Sequence, residues 1–261
     1  MKLSGHMIIN NGVKYDYSFI QSCLSALPIC DEFIFVEGMG GDGTYEKLLD
    51  LQKHYPKKIK IIQRKWEKQH FTVLSDMTNL AIENCSGKYH YQIQADEALH
   101  ERYHKQIRQF VETEEFDLLG LDVLHFYSNF HTVFKPGVYY DTFHRIARTA
   151  KFPVVRSFSD AMTLGCPDDG NRVLRHLKGV TVHHYGYVRK PRALLEKQRQ
   201  MTKWWGYKEL DKFLSDGEEA GKINWHQKHS PDRLRAYTES HPRPMIKWIK
   251  EREQIVQEGT V

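Results

Sequence analysis

Apolar residues in the first hundred positions come in two alternating rhythms. Short unbroken runs predict buried strands: Met7-Ile8-Ile9, Phe33-Ile34-Phe35-Val36, residues 60–63 around Ile61-Ile62, and residues 89–94. Between them, apolar side chains recur every three or four positions. Tyr15, Phe19, Cys23, Ala26 and Leu27 form one such set, and Tyr45, Leu48, Leu49 and Leu51 a second. A third spans 71–84. Each predicts an amphipathic helix. Pro28, the glycine-rich stretch 38–43 and Gly87 punctuate the segments. Strand and helix thus alternate three times before a fourth strand, which predicts a mostly parallel α/β sheet with helices on both faces. Such sheets bind ligands beyond the carboxyl ends of their strands. Those ends carry Asn10-Asn11, Glu37-Gly38, Arg64 and Asp96-Glu97, so four polar clusters are expected along one edge.

Beyond residue 97 the pattern is less regular. Strands are expected at 116–127, 133–140, 145–150 and 180–187, and a basic helix at 191–205. Further helices follow, separated by Pro231 and the His241-Pro242-Arg243-Pro244 turn. This divides the chain into a domain at 1–190 and a helical extension at 191–261 packed on it. With 261 residues, 40% hydrophobic and 12% aromatic, the chain can bury a sizeable core and is not a disordered polymer. The net charge of +5 suits phosphate-bearing partners (nucleotides, nucleic acid, an anionic membrane surface), or simply a mildly basic enzyme. Four scattered cysteines without a C-x-x-C pair exclude zinc-ribbon and thioredoxin chemistry and suggest reduced thiols. Residues 1–10 do not read as a signal peptide, and no apolar run reaches roughly 18 residues. A cytoplasmic protein, peripheral to a membrane if its acceptor is lipid-linked, is expected.

The chemistry-bearing residues cluster where the pattern places ligands. Asp96, after the fourth strand, can hold a divalent cation against a diphosphate, or it can cap a following helix. No G-x-G-x-x-G follows the first strand, which argues against a nicotinamide oxidoreductase. The segment Ile93-Gln94-Ala95-Asp96-Glu97 resembles the Asp-x-Asp segment of family 2 glycosyltransferases of the GT-A fold. Val36-Glu37-Gly38-Met39-Gly40-Gly41-Asp42-Gly43-Thr44 is similar to that family's segment after its second strand. The resemblance covers about residues 4–100 and weakens from there to about 190. It implies a Rossmann-like GT-A domain that moves a sugar from a nucleotide diphosphate, a UDP-sugar above others, to a hydroxyl with Mn2+ or Mg2+. By that resemblance Asn10, Asn11, Glu37, Gln94, Ala95 and Asp96 surround the nucleotide; Arg64, ending the third strand, can pair with phosphate, and Arg189 can lie near the diphosphate, or either can sit on a solvated face. Gln94 departs from the family pattern: its neutral amide replaces an aspartate, so metal binding rests more on Asp96.

A second constellation is Thr181-Val182-His183-His184-Tyr185-Gly186-Tyr187-Val188-Arg189. Strand alternation sends His183 and His184 to opposite faces. One of them can complete the metal site, as a late histidine does in GT-A enzymes; His184, next to the aromatic loop, is preferred and His183 is the alternative. An inverting reaction needs a carboxylate base. Asp160 is the first candidate, with Glu97, Asp122 and Asp141 behind it. The tail with Trp204-Trp205-Gly206-Tyr207, Trp225-His226 and Met245-Ile246-Lys247-Trp248 can stack sugars or bases, sit at a membrane interface, or form a helical core. Three functions therefore stand open: transfer to a glycan or lipid-linked saccharide, transfer to hydroxymethylated bases of viral DNA, and nucleotide-sugar binding without catalysis.

Overall fold

The computed structural model describes residues 3–67, 70–166, 172–206 and 230–258. Its first half follows the predicted alternation. Strands β1 (Leu3–Ile9), β2 (Glu32–Glu37), β3 (Ile59–Gln63) and β4 (Tyr89–Gln92) are joined through helices α1 (Phe19–Ala26), α2 (Thr44–His54) and α3 (Thr72–Glu83). β1 pairs in parallel with both β2 and β4, and β2 with β3. Two-residue alternation on β2 explains the layering. Phe33 and Phe35 pack with Phe19 and Cys23 of α1 and Leu48 of α2. Ile34 and Val36 pack with Val73, Met77 and Ala81 of α3 on the other face. Gly43 starts α2 at φ 91°, a left-handed conformation open to glycine. Next to it, Asp42 accepts bonds from Thr44 N and Lys14 N.

After β4 the chain departs from expectation. Asp96 does not cap a helix: β5 (Glu97–Leu99) follows, and only then α4 (His104–Thr113). The second half adds β6 (Leu118–Tyr127), β7 (Thr132–Phe134), β8 (Thr142–Arg148), the small pair β9 (Arg156–Ser157) and β10 (Leu164–Gly165), and β11 (Leu174–Tyr187). The expected strand 133–140 is thus only β7, because Gly137 at φ 77° turns the chain back toward β8. The strand expected at 180–187 begins six residues earlier, at Leu174.

With β12 (Leu234–Ala236) from the C-terminal part, the order β12-β7-β6-β8-β4-β1-β2-β3 runs along one sheet, with β11 beside β6 and β5 beside β11. β8 is antiparallel to both β4 and β6, and β11 is parallel to β6. Six strands, β1 to β4, β6 and β11, therefore point the same way. Their carboxyl ends share one edge, and this is the mostly parallel, helix-flanked α/β architecture of the Rossmann-like class.

The C-terminal part contains α5 (Pro191–Trp205), β12 (Leu234–Ala236), α6 (Met245–Lys250) and α7 (Glu253–Glu258). β12 joins the sheet against β7, so this region adds a strand as well as helices. Met245, Trp248 and Ile249 bury against Phe126, Phe130, Tyr185 and Val188. That cluster answers for the Met245–Trp248 aromatics as core. Tyr207, Trp225 and His226 lie outside the described residues. No described helix is long and apolar enough to cross a membrane.

Candidate functional site

The common carboxyl edge opens into a cavity of about 330 Å³. Asn10 and Asn11 reach it from the end of β1, and Gln94, Ala95 and Asp96 from the end of β4. His125 comes from β6, His184 from β11, and Lys197 and Trp204 from α5. Asp160 and Met162 close one side, and Tyr15 and Tyr17 another. The four polar clusters expected along the edge divide two and two. Asn10-Asn11 and Asp96 face the cavity. Glu37 and Arg64 are not among the residues that line it.

Asp96 is the electrostatic centre. It is 6% exposed, and its backbone oxygen accepts from Tyr185 N at 2.7 Å, which fixes it between β4 and β11. Its Oδ2 accepts from Arg189 at 2.8 Å and from Lys197 at 3.0 Å. Burial opposes its ionisation, but the charges of Lys197 and Arg189 outweigh burial and hold the carboxyl well below the usual range. Both cations also lie over the Tyr17 ring, Arg189 at 4.3 Å and Lys197 at 5.2 Å. Its other oxygen, Oδ1, faces His184 Nε2 at 3.8 Å.

His184 sits in this position because β11 and β6 are parallel neighbours with His184 and His125 in register. Partners in register present their side chains to the same face, and the two Nδ1 atoms stand 2.9 Å apart. Gly186 gives the ring room, since a Cβ there would lie 2.5 Å from His184 Nε2. His183 points the other way. Its Nε2 meets Tyr237 OH at 3.0 Å and its ring stacks on Phe126, in the C-terminal core.

Asp160 is half-buried at the cavity wall, between Ser159 at φ 52° and Ala161 at φ 58°. Two consecutive-but-one non-glycine residues in the left-handed region are costly and persist only where their surroundings hold them. Here Ala161 O accepts from Gln92 Nε2 at 2.7 Å and from Gln94 Nε2 at 3.2 Å. The amide at position 94 thus anchors the Asp160 turn, a use that an aspartate there would not serve.

Glu97 is corrected by its surroundings. It is wholly buried, ion-paired with the equally buried Arg145, and accepts from Gln94 N at 3.0 Å. Arg145 in turn donates to Met162 O. Burial pushes the Glu97 carboxyl up, against the pull of Arg145. Its place is behind the cavity, supporting the 160–162 turn, where no acceptor reaches it. Glu37 is likewise committed: its oxygens accept from Met39 N at 2.9 Å and Gln63 Nε2 at 3.0 Å. Arg64 is exposed at the end of β3. Asp122 pairs with His176 at 2.6 Å, and Asp141 accepts from Gly137 N at 2.8 Å; both lie off the cavity. Arg189 lies behind Asp96, bonded to Tyr15 O at 2.8 Å. Sequence reading missed Lys197, Tyr17 and His125. The basic pattern of α5 was the only local sign of the first, and nothing local marks the others.

The donor set suits a divalent cation in part. Among the described residues no group of three or more His, Cys, Asp or Glu forms a closed metal site. Asp96 Oδ1 and His184 Nε2 are a facing pair across a gap too wide for a hydrogen bond. Magnesium-type ions are commonly held by one or two protein groups with substrate phosphates and water completing the shell, so the pair fits such an ion.

No family model matches the chain, and no curated protein does. Among solved structures it is similar to S. aureus TarS. One is a crystal structure of S. aureus TarS 1-349, with 14% identity over 89% of this chain and 73% of that one, at a TM-score of 0.47. The same fragment in complex with UDP-GlcNAc gives 14% identity, 89% and 74% coverage and a TM-score of 0.44. The S. aureus TarS crystal structure of which this chain covers 44% gives 15% identity, 89% of this chain and a TM-score of 0.42. A likeness at this identity and TM-score bears on neither substrate nor residue roles.

Proposed function

We propose that the chain is a glycosyltransferase that moves a sugar from a nucleotide diphosphate, with UDP the first candidate, to a hydroxyl of a glycan or lipid-linked saccharide. The observation that carries this reading is Asp96. A buried carboxylate at the carboxyl edge of a parallel sheet is flanked by two cations and faces His184 Nε2, inside a cavity of about 330 Å³. Lys197 supplies positive charge at the cavity wall where a diphosphate develops charge as it leaves. Arg189 holds Asp96 from behind. Asp96 and His184 are the groups that would hold Mn2+ or Mg2+. That ion supplies Lewis-acid neutralisation of the leaving diphosphate.

Asn10 and Asn11, at the end of β1, flank the nucleotide. Asp160 takes the proton from the attacking acceptor hydroxyl, so transfer inverts the anomeric centre. The C–O bond to the diphosphate breaks as the acceptor oxygen bonds to the anomeric carbon, and the proton goes to Asp160. The turn around Asp160 is held by Gln92 and Gln94, which keeps its carboxylate at the cavity wall before substrate arrives.

A thermal-shift screen of nucleoside diphosphates and their sugars, with and without Mn2+, tests this directly, because a ligand bound only by the folded state raises the melting temperature. A rise with one nucleotide that grows with Mn2+ and is lost in Asp96→Asn is the expected result. No shift with any nucleotide would overturn the reading. A shift with nucleotide but neither hydrolysis nor transfer would leave a binding protein. Transfer only to hydroxymethylated DNA would change the acceptor class.

A further inference from the structure

The hydrogen-bond directions around His184 fix which of its nitrogens carries a proton. His125 Nε2 lies 2.8 Å from the backbone oxygen of Tyr140, and a carbonyl oxygen only accepts. His125 Nε2 therefore holds a hydrogen. The ring is buried, which favours its neutral form, and a neutral imidazole carries one N–H. His125 Nδ1 is then bare and must accept. Its partner at 2.9 Å is His184 Nδ1, which must donate. A neutral imidazole with that hydrogen on Nδ1 has its lone pair on Nε2, and Nε2 stands too far from Asp96 Oδ1 to be donating to it. It faces a carboxylate oxygen at 3.8 Å. Two lone-pair atoms set against each other across such a gap repel unless a cation lies between them.

We infer that His125 is a positioning residue: through the chain Tyr140 C=O, His125, His184 it locks His184 in the Nδ1–H tautomer and bares Nε2 toward Asp96. Metal-binding histidines are commonly oriented by a hydrogen bond from their second nitrogen, and that partner governs affinity. The usual partner is a carboxylate or carbonyl. In this chain the carbonyl acts at one remove, with a second imidazole passing its direction along. The space at Gly186 completes the arrangement by leaving room for the His184 ring, whose Cε1 a Cβ there would meet at 2.4 Å. The purpose of the relay rests on the proposed metal-assisted transfer; the tautomer itself does not.

Two-bond 15N–1H correlation spectra of histidine-labelled, metal-free protein at neutral pH read the tautomers directly. His184 is expected as Nδ1–H and His125 as Nε2–H. In His125→Phe the lock is gone and His184 should move toward Nε2–H. In His125→Gln the side-chain carbonyl can accept from His184 Nδ1, and the native signature should return. A second readout uses Mn2+ with UDP, its free concentration followed by electron paramagnetic resonance. Mn2+ affinity should fall about tenfold to a hundredfold in His125→Phe and recover in His125→Gln. His184 found as Nε2–H or as imidazolium in the wild type, or unchanged in His125→Phe, overturns the relay. Native tautomers in a protein that takes up no Mn2+ support the relay and overturn the metal reading instead.

Discussion

At the scale of single residues, the site works by giving the two oxygens of Asp96 separate partners. Asp96 spends Oδ2 on Arg189 and Lys197 and keeps Oδ1 for His184. That division depends on where the His184 ring lies, and Gly186 controls it. An alanine Cβ would stand 2.4 Å from His184 Cε1 and 2.5 Å from Nε2, closer than real Cβ contacts allow. The ring must rotate, which breaks its bond to His125 and turns Nε2 off Asp96. Gly186→Ala is therefore expected to weaken Mn2+-dependent nucleotide binding about tenfold or more, measured by calorimetry. Its melting temperature should move little, because the change adds one methyl beside an open cavity. A variant that binds as tightly as the wild type would show that ring position is unimportant to the site.

At the scale of elements, the cavity is a meeting of strand ends with segments far away in sequence. The strand–helix alternation to residue 92 was readable because periods of two and of about 3.6 declare themselves within a few residues. Asn10 and Asp96 followed from it, since the ends of parallel strands share an edge; Gln94 and His184 came from the family resemblance instead. What local pattern does not carry is partnership. Lys197 meets Asp96 across 101 positions, and His125 meets His184 across 59. Glu37 looked like a strand-end ligand, yet the turn after β2 folds Met39 N back onto it. The three residues of β5 read as a helix start because their pairing is with β11, 83 to 87 positions on, from Leu99 with Val182 to Glu97 with His184.

The same long-range logic governs the loop between β1 and α1. Asp16 at φ 50° is gripped by Arg252, with Oδ1 at 2.7 Å from Nη2, and accepts from Lys190 N at 3.2 Å. This ties the C-terminal segment to the loop that carries Tyr15 and Tyr17 into the cavity. Arg252→Ala should cost on the order of 1.5–3 kcal/mol, the range for hydrogen bonds to charged groups, read by urea unfolding. It should also weaken nucleotide binding while leaving turnover at saturation near normal. Lysine at 252 should restore part of both, and binding unaffected in Arg252→Ala would remove the loop from the site.

At the scale of the whole molecule, buried histidines set the acid limit of the fold. His6 and His90 are wholly buried and face each other at 3.1 Å, and His241 bonds Tyr185 OH at 2.8 Å. Burial pulls His90 down to about 3 and His241 to about 4, and lowers His6 well below its ordinary 6.5. The sign follows from where protons go. Below 6.5 the unfolded chain takes up protons at these rings and the folded chain does not, so stability falls as pH falls, until the folded values are reached. Each ring contributes at most about 1.4 kcal/mol per pH unit. His90 and His241 together approach about 2–3 kcal/mol per unit near pH 5, with His6 acting in the same direction, against a typical total of about 5–15 kcal/mol. Carboxylates begin to matter later: Glu32, where bonds from Lys60, Ser86 and Ser4 outweigh burial and bring it down to about 2, loses its contribution only below 4.5. The interval from 6.5 to 4.5 thus belongs to the histidines, opposed by Glu97, whose raised carboxyl takes its proton earlier in the folded chain than in the unfolded one. Urea unfolding at pH 7.5, 6 and 5 should show a steep loss across it, and His90→Gln and His241→Gln should each flatten the slope by up to one proton's worth, whatever they cost at pH 7.5. Stability that stays level from pH 6.5 to 5 would mean that water or rearrangement lets these rings protonate inside the fold.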